Sequence, residues 1–106
     1  MIGLVLAAAG TGSRFGLETP KQFASYQGKS LYIHALDRFY RLVDEIVIVL
    51  PEGWRDYVAN QIQELSYREK LILQTGGVRR QESVHCGVLR LSENIRTVLV
   101  HDAVRP

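Results

Sequence analysis

Cysteine is almost absent. The single Cys86 cannot form an internal disulfide, and three histidines spread over positions 34, 85 and 101 offer no zinc spacing. The expected compartment is therefore a reducing one, the cytoplasm, or a plastid in a plant, with no structural metal. Charge of one sign is also scarce. Thirteen Lys and Arg against eleven Asp and Glu leave a net charge of +2, and the basic residues are not massed on one segment, so no nucleic-acid partner is expected. Long apolar runs are missing too. The one that opens the chain covers only about seven residues and lacks a basic leader, which makes it neither a signal peptide nor a membrane span. Repeats, low-complexity tracts and linkers are absent, and 46% hydrophobic with 23% charged residues is the balance of an ordinary soluble domain.

The opening apolar run, Ile2 to Ala8, leads straight into Ala9-Gly10-Thr11-Gly12-Ser13-Arg14-Phe15-Gly16 and then Pro20-Lys21-Gln22. Glycines let backbone N–H groups approach an anion closely, and Arg14 and Lys21 place full positive charges at the two ends of the loop. A strand that delivers such a loop is suited to phosphate, hence to a nucleotide. Two familiar motifs drop out on spacing. G-x-G-x-x-G needs a third glycine where Phe15 stands, and no Gly-Lys-Ser/Thr follows to make a P-loop. Taken alone, Gly-x-Gly after a strand is more often a simple turn; the alternative for Arg14 and Lys21 is a pair of solvated surface cations, against which stand the glycines between them and the strand.

Further strand patterns lie at 46–50, 71–73 and 97–100, short and nearly continuous in apolar residues, as expected of parallel strands buried on both faces. Between them, Leu31, Ala35, Phe39 and Leu42 recur at helical spacing, as do Val58, Ile62 and Leu65, then Val84, Val88 and Leu91. Ser30 suits the first helix as N-cap, Pro51 with Gly53 ends the second strand, and Ser92 with Asn94 closes the third helix. The pattern is βαβαβαβ, an α/β, Rossmann-like, doubly wound, mainly parallel sheet in three αβα layers. Right-handed crossovers put the first strand at the centre, the second and third to one side and the fourth on the other. Loops after strands one and four then face each other, bringing Gly10 to Arg14 beside Asp102. A carboxylate directly after a strand is placed to hold Mg²⁺ against nucleotide phosphates, and is equally a cap or turn residue.

With Leu6-Ala7-Ala8-Ala9-Gly10-Thr11-Gly12-Ser13-Arg14 and Pro20-Lys21-Gln22-Phe23, the chain resembles the nucleotidyltransferases that activate sugar and polyol phosphates. Gln22 after Pro-Lys narrows the resemblance to the 2-C-methyl-D-erythritol 4-phosphate cytidylyltransferase family and its close relative, ribitol-5-phosphate cytidylyltransferase. Gly76-Gly77-Val78-Arg79-Arg80-Gln81-Glu82-Ser83-Val84 is similar to the second nucleotide loop of that family, and His101-Asp102-Ala103-Val104-Arg105-Pro106 to its H-D-A-x-R-P motif. The resemblance implies transfer of CMP from CTP to 2-C-methyl-D-erythritol 4-phosphate with release of pyrophosphate, in non-mevalonate isoprenoid synthesis. Ribitol 5-phosphate stays open as the acceptor. It assigns Arg14 and Lys21 to transition-state stabilisation; Ala8, Ala9, Gly10, Thr11, Gly12, Gly77, Ser83 and Asp102 to the nucleotide; Asp102 to Mg²⁺ or another divalent cation; and Arg105 to the polyol phosphate, in a homodimer at full length. Gly77 and Ser83 are implied to lie against cytosine and ribose. Arg80 either braces its loop or touches ligand. Val78 stands where an acidic or polar residue is frequent, and Val104 where alanine is common.

The same resemblance makes 106 residues about half of the catalytic domain, so the chain reads as its N-terminal, CTP-binding part, ending inside the third motif. Such a part is expected to be inactive alone, or to be only a nucleotide-binding fragment, with any surface meant for the rest exposed. Other residues read as structural. His101 points to the opposite side from Asp102 by strand alternation, and a phosphate monoester needs no general base. Cys86 reads as a small buried hydrophobe, and Trp54, Tyr57, Phe39 and Tyr40 as helix packing.

Overall fold

The structure is a computed structural model that describes residues 1–10, 20–77 and 79–104. Strand β1, Ile2–Ala7, is followed by a 3₁₀ turn at Lys21–Phe23 and a small antiparallel hairpin, β2 (Ser25–Tyr26) and β3 (Lys29–Ser30). Then come α1 (Leu31–Phe39), β4 (Glu45–Leu50), α2 (Arg55–Ile62), β5 (Leu71–Thr75), α3 (Arg80–Arg90) and β6 (Thr97–Asp102). The main sheet is parallel, with the order β5-β4-β1-β6. This is the expected arrangement with β1 central, and the strand order reverses between β1 and β6.

Handedness decides the layers. Crossovers running from β1 towards β5 and the one returning to β6 move in opposite directions across the sheet, so right-handed connections put their helices on opposite faces. Accordingly, α1 and α2 cover Leu4, Leu6, Ile46, Ile48 and Leu50 through Tyr32, Leu36, Val58 and Ile62. The other face, Val5, Val47 and Val49 with Ile72, lies under α3. The central strands β1 and β4 are buried on both faces, as continuous apolar runs require.

The outer strands correct the expectation of burial on both faces. β5 is half-buried, and Thr97 to Val100 of β6 are exposed, because β5 and β6 form the two edges of the described sheet. Of the helical pattern Val84, Val88 and Leu91, Leu91 at the C-cap of α3 does pack against Val5, Val47 and Val49, but the pattern differs from the buried positions of the helix itself. Its buried residues are Ser83 and Gly87; Val88 and Leu89 are 39% and 69% exposed, and Cys86 is only half-buried. Packing distance is the reason. A Cβ on Gly87 would stand 2.6 Å from Val5 Cγ1 and 2.9 Å from Val49 Cγ2, so the helix backbone rides directly on the sheet at that point.

Two smaller expectations also change. Leu42 lies beyond the end of α1 and is 64% exposed, while Val43 turns inward in its place. Ser30 does occupy the N-cap position of α1, but its hydroxyl donates to the Phe23 carbonyl at 3.3 Å instead of capping the helix. The hairpin is an unforeseen insertion between β1 and α1. Its two-residue turn has positive φ at both Gln27 (50°) and Gly28 (82°), the geometry that matches strand twist. Among the described residues, no helix is long and apolar enough to cross a membrane.

Candidate active site

The C-terminal ends of parallel strands are where open α/β sheets bind ligands, at the point where the strand order reverses. Here that point lies between β1 and β6, and the register sets Ala7 directly beside Asp102. Backbone hydrogen bonds carry the sheet one step into each loop: Ala8 N–H donates to Val49 O at 2.9 Å, Gly76 N–H to Leu50 O at 2.8 Å and Ala103 N–H to Ala7 O at 3.0 Å. Three loop exits are thereby fixed around one opening.

That opening is a cavity of about 280 Å³, to which Ala8, Ala9 and Gly10 contribute from the end of β1, Gly77 and Ser83 from the approach to α3, Asp102 from β6, and Lys21 from the 3₁₀ turn. Every described residue that the sequence singled out for nucleotide or catalysis lines it. Thr11, Gly12, Arg14 and Arg105 lie outside the described residues, as does Val78.

Charge in the cavity favours an anion. Lys21, Arg79 and Arg80 face one carboxylate, Asp102, across it. Arg79 is the N-cap residue of α3 and Arg80 its first helical residue, so both cations sit at the end of the helix where N–H groups and the dipole attract negative charge. Lys21 is held by its neighbours. Pro20 and Gln22 on either side of it are buried while Lys21 itself is exposed, and Phe23 anchors the turn by stacking on Trp54 with ring centroids 4.5 Å apart.

The second loop packs tightly against the first. A Cβ on Gly76 would fall 2.5 Å from Ser83 Oγ, 2.7 Å from Val49 Cγ1 and 2.8 Å from Ala9 Cβ, so only glycine fits between the two loops. Buried Ser83 in turn donates its hydroxyl to Gly77 O at 3.2 Å. Asp102 accepts from the Val104 N–H at 3.2 Å through Oδ1, so it serves as a turn residue while its carboxylate still faces the cavity. His101 is on the opposite face of the sheet, packed 4.8 Å from the Phe39 ring, in keeping with strand alternation.

Two polar cavity residues, Arg79 and Gln22, carried no site role in the sequence reading. Arg79 was masked by the more motif-like Arg80 beside it. Gln22 had served only to narrow the family, yet its side chain is 3% exposed and its Nε2 donates to the carbonyls of both Ala8 and Gly10. The adjacent Pro-Lys was the available signal, since a polar residue beside a cation on a turn must either face solvent or find buried partners.

Comparison with known proteins agrees with this geometry. The chain is 33% identical over its whole length to a ribitol-5-phosphate cytidylyltransferase of Lacticaseibacillus paracasei, covering 47% of that protein. It is 32% identical, again over its whole length, to a 2-C-methyl-D-erythritol 4-phosphate cytidylyltransferase of Clostridioides difficile, covering 46% of it. Thus the chain spans about half the length of these curated relatives. The crystal structure of 4-diphosphocytidyl-2C-methyl-D-erythritol synthase from Anaerococcus prevotii superposes with a TM-score of 0.83 at 24% identity, over 100% of this chain and 44% of that one, which establishes the common fold. A family model described as IspD, 2-C-methyl-D-erythritol 4-phosphate cytidylyltransferase, matches residues 2–106, and the chain belongs to that family.

Proposed function

We propose that this chain is the N-terminal, CTP-binding part of a single nucleotidyltransferase domain that transfers CMP from CTP to 2-C-methyl-D-erythritol 4-phosphate. The observation that carries the reading is the gathering of Gly10, Lys21, Ser83 and Asp102, distant in sequence, around one cavity. In the reaction an oxygen of the acceptor phosphate forms a bond to the α-phosphorus of CTP as the bond to pyrophosphate breaks. Both reactants are anions, so the site must offset their repulsion and the charge gathering on the leaving group. Lys21, on its anchored turn, and Arg14 supply that positive charge. Backbone N–H groups around Gly10 receive the phosphate tail, and Gly77 with Ser83 bounds a base pocket sized for a pyrimidine.

The donor set is compatible with Mg²⁺. Among the described residues no group of three or more His, Cys, Asp or Glu side chains is placed to cage a metal, whereas Mg²⁺ typically takes one or two carboxylates together with substrate phosphates and water. Asp102 is that carboxylate in this reading. A bound divalent cation would neutralise the phosphate oxygens. Arg105 would meet the acceptor phosphate, in a cytoplasmic homodimer, and the 106 residues alone would not turn over.

A second acceptor is favoured by a specific observation, the 33% identity to a ribitol-5-phosphate enzyme beside 32% to a methylerythritol phosphate enzyme. Pyrophosphate release from the full protein, measured with CTP, ATP and GTP against both polyol phosphates, tests the proposal. The expected result is a strong preference for CTP with methylerythritol phosphate. Equal or faster release with a purine nucleotide rejects the cytidylyl reading, and preference for ribitol 5-phosphate selects the second acceptor.

A further inference from the structure

We propose that Gln22 is a positioning residue whose carboxamide clamps the exit of β1 in its polyphosphate-receiving shape and ties that shape to Lys21. The inference rests on the reading of this cavity as a polyphosphate site. A primary amide nitrogen carries two N–H donors, and here each has its own acceptor, the carbonyls of Ala8 and Gly10. Two carbonyl partners identify the atom as nitrogen and not the amide oxygen. The acceptors are two residues apart, so both carbonyls of the strand exit are drawn to the same side. With the intervening peptides trans, the Ala9 N–H is turned the opposite way from the Ala8 carbonyl that Gln22 holds. The clamp thus selects which backbone groups of the loop exit face an anion.

The same side chain couples that exit to the cation. Lys21, Gln22 and Phe23 form one 3₁₀ turn, closed by Phe23 N–H to Pro20 O at 3.0 Å and Ala24 N–H to Lys21 O at 2.9 Å. Phe23 fixes the turn to the core, with Tyr32 edge-on at 5.6 Å as well as Trp54 stacked on it. Gln22 fixes it to β1, and of the three residues only Lys21 is exposed. A carboxylate would oppose two carbonyl oxygens, and an apolar residue would leave the oxygens without these donors.

The test measures inorganic tripolyphosphate binding to the full protein by calorimetry, for wild type, Gln22→Met and Gln22→Glu, at pH 8 and pH 5.5, with thermal melting in parallel. Gln22→Met keeps the volume and removes both donors; it is expected to weaken binding about tenfold relative to wild type at both pH values. Gln22→Glu is expected to weaken it further at pH 8 and to recover in part at pH 5.5, where the buried carboxyl takes up a proton and its one O–H can donate to one of the two carbonyls. Recovery on acidification is a signature that loss of packing alone would not produce. Binding by Gln22→Met within about twofold of wild type overturns the proposal, as does an equal deficit of Gln22→Glu at both pH values. Failure of the wild type to bind tripolyphosphate overturns the polyphosphate site itself. Wild-type binding that the variants share overturns only the clamp.

Discussion

Ser83 donates its hydroxyl to the Gly77 carbonyl at 3.2 Å, fastening the first turn of α3 to the loop that enters it. Because the bond shapes a wall of the proposed base pocket and not the reacting phosphates, its loss should act on binding. In the full protein, Ser83→Ala is expected to raise the KM for CTP about fivefold, the scale of one net hydrogen bond, with kcat nearly unchanged. Steady-state kinetics with varied CTP decide the matter. A large fall in kcat at unaltered KM would place Ser83 at the chemistry instead.

Gly87 gives a stability prediction whose sign opposes helix propensity. In an exposed helix interior Gly→Ala stabilises by roughly 1 kcal/mol. Here the new Cβ would meet Val5 Cγ1 at 2.6 Å and Val49 Cγ2 at 2.9 Å, and overpacking of this kind typically costs about 1–3 kcal/mol. Gly87→Ala should therefore destabilise, and Val5→Ala in the same chain should recover part of the loss. Urea denaturation of the two single variants and the double variant forms the cycle. Additive effects would show that the close approach to Val5 is not the cause.

The parts of the fold that followed from sequence are those where local pattern and global topology agree. Apolar runs at β1 and β4 marked the central strands, and handedness alone then placed Asp102 across from the end of β1. What stayed hidden depends on distances that periodicity does not carry. Helical spacing identified α3 and its inward Leu91, but also chose Val88, whereas the sheet lies so near Gly87 that the buried positions of the helix are Ser83 and Gly87. Apolar content marked β6 as a strand without revealing that its middle is exposed at a sheet edge. Gln22 was visible as a motif letter, but its role depends on a fold that brings Ala8 and Gly10 to its amide.

Asp37 and Tyr67 predict opposite pH limits of stability. Burial pushes the Asp37 carboxyl up, but hydrogen bonds from Lys29 and Tyr67, with the charge of Lys29, outweigh it and hold the group below the usual carboxylate range. Lys29 Nζ lies 2.7 Å from Oδ2, and Tyr67 donates to Oδ1 at 2.6 Å. A depressed folded value stabilises above the unfolded value of about 3.9 and is lost as pH falls through the folded one. Asp37→Asn should lower the melting temperature at pH 7, and the gap to wild type should close below about pH 4. Burial, then the bond to Asp37, raises the Tyr67 hydroxyl above its ordinary value, so its contribution is full below about pH 10 and lost above it. Tyr67→Phe should flatten that alkaline limb. Melting curves at pH 3, 7 and 10.5 test both; a gap for Asp37→Asn that is the same at pH 3 and pH 7 would reject the linkage.

Lys21 gives the sharpest separation of binding from catalysis. It is exposed, on a turn anchored independently by Phe23 and Gln22, so truncation should leave the fold intact. It lines a cavity to which Arg79, Arg80 and the start of α3 also contribute, and under the proposed function these would remain to hold ground-state nucleotide. Charge that accumulates only as pyrophosphate departs has fewer such partners, and an interaction made mainly at that stage appears in kcat. In the full protein, Lys21→Ala is accordingly expected to lower kcat at least about a hundredfold, the scale of losing one preorganised charge contact, while CTP affinity changes far less. Lys21→Arg should restore only part of the rate, because a planar fork does not occupy the position of a compact ammonium. Single-turnover pyrophosphate release alongside calorimetric CTP titration separates the two effects. If kcat survives and only the affinity for CTP falls, Lys21 is a ground-state phosphate ligand, and the charge that drives transfer must come from elsewhere in the site.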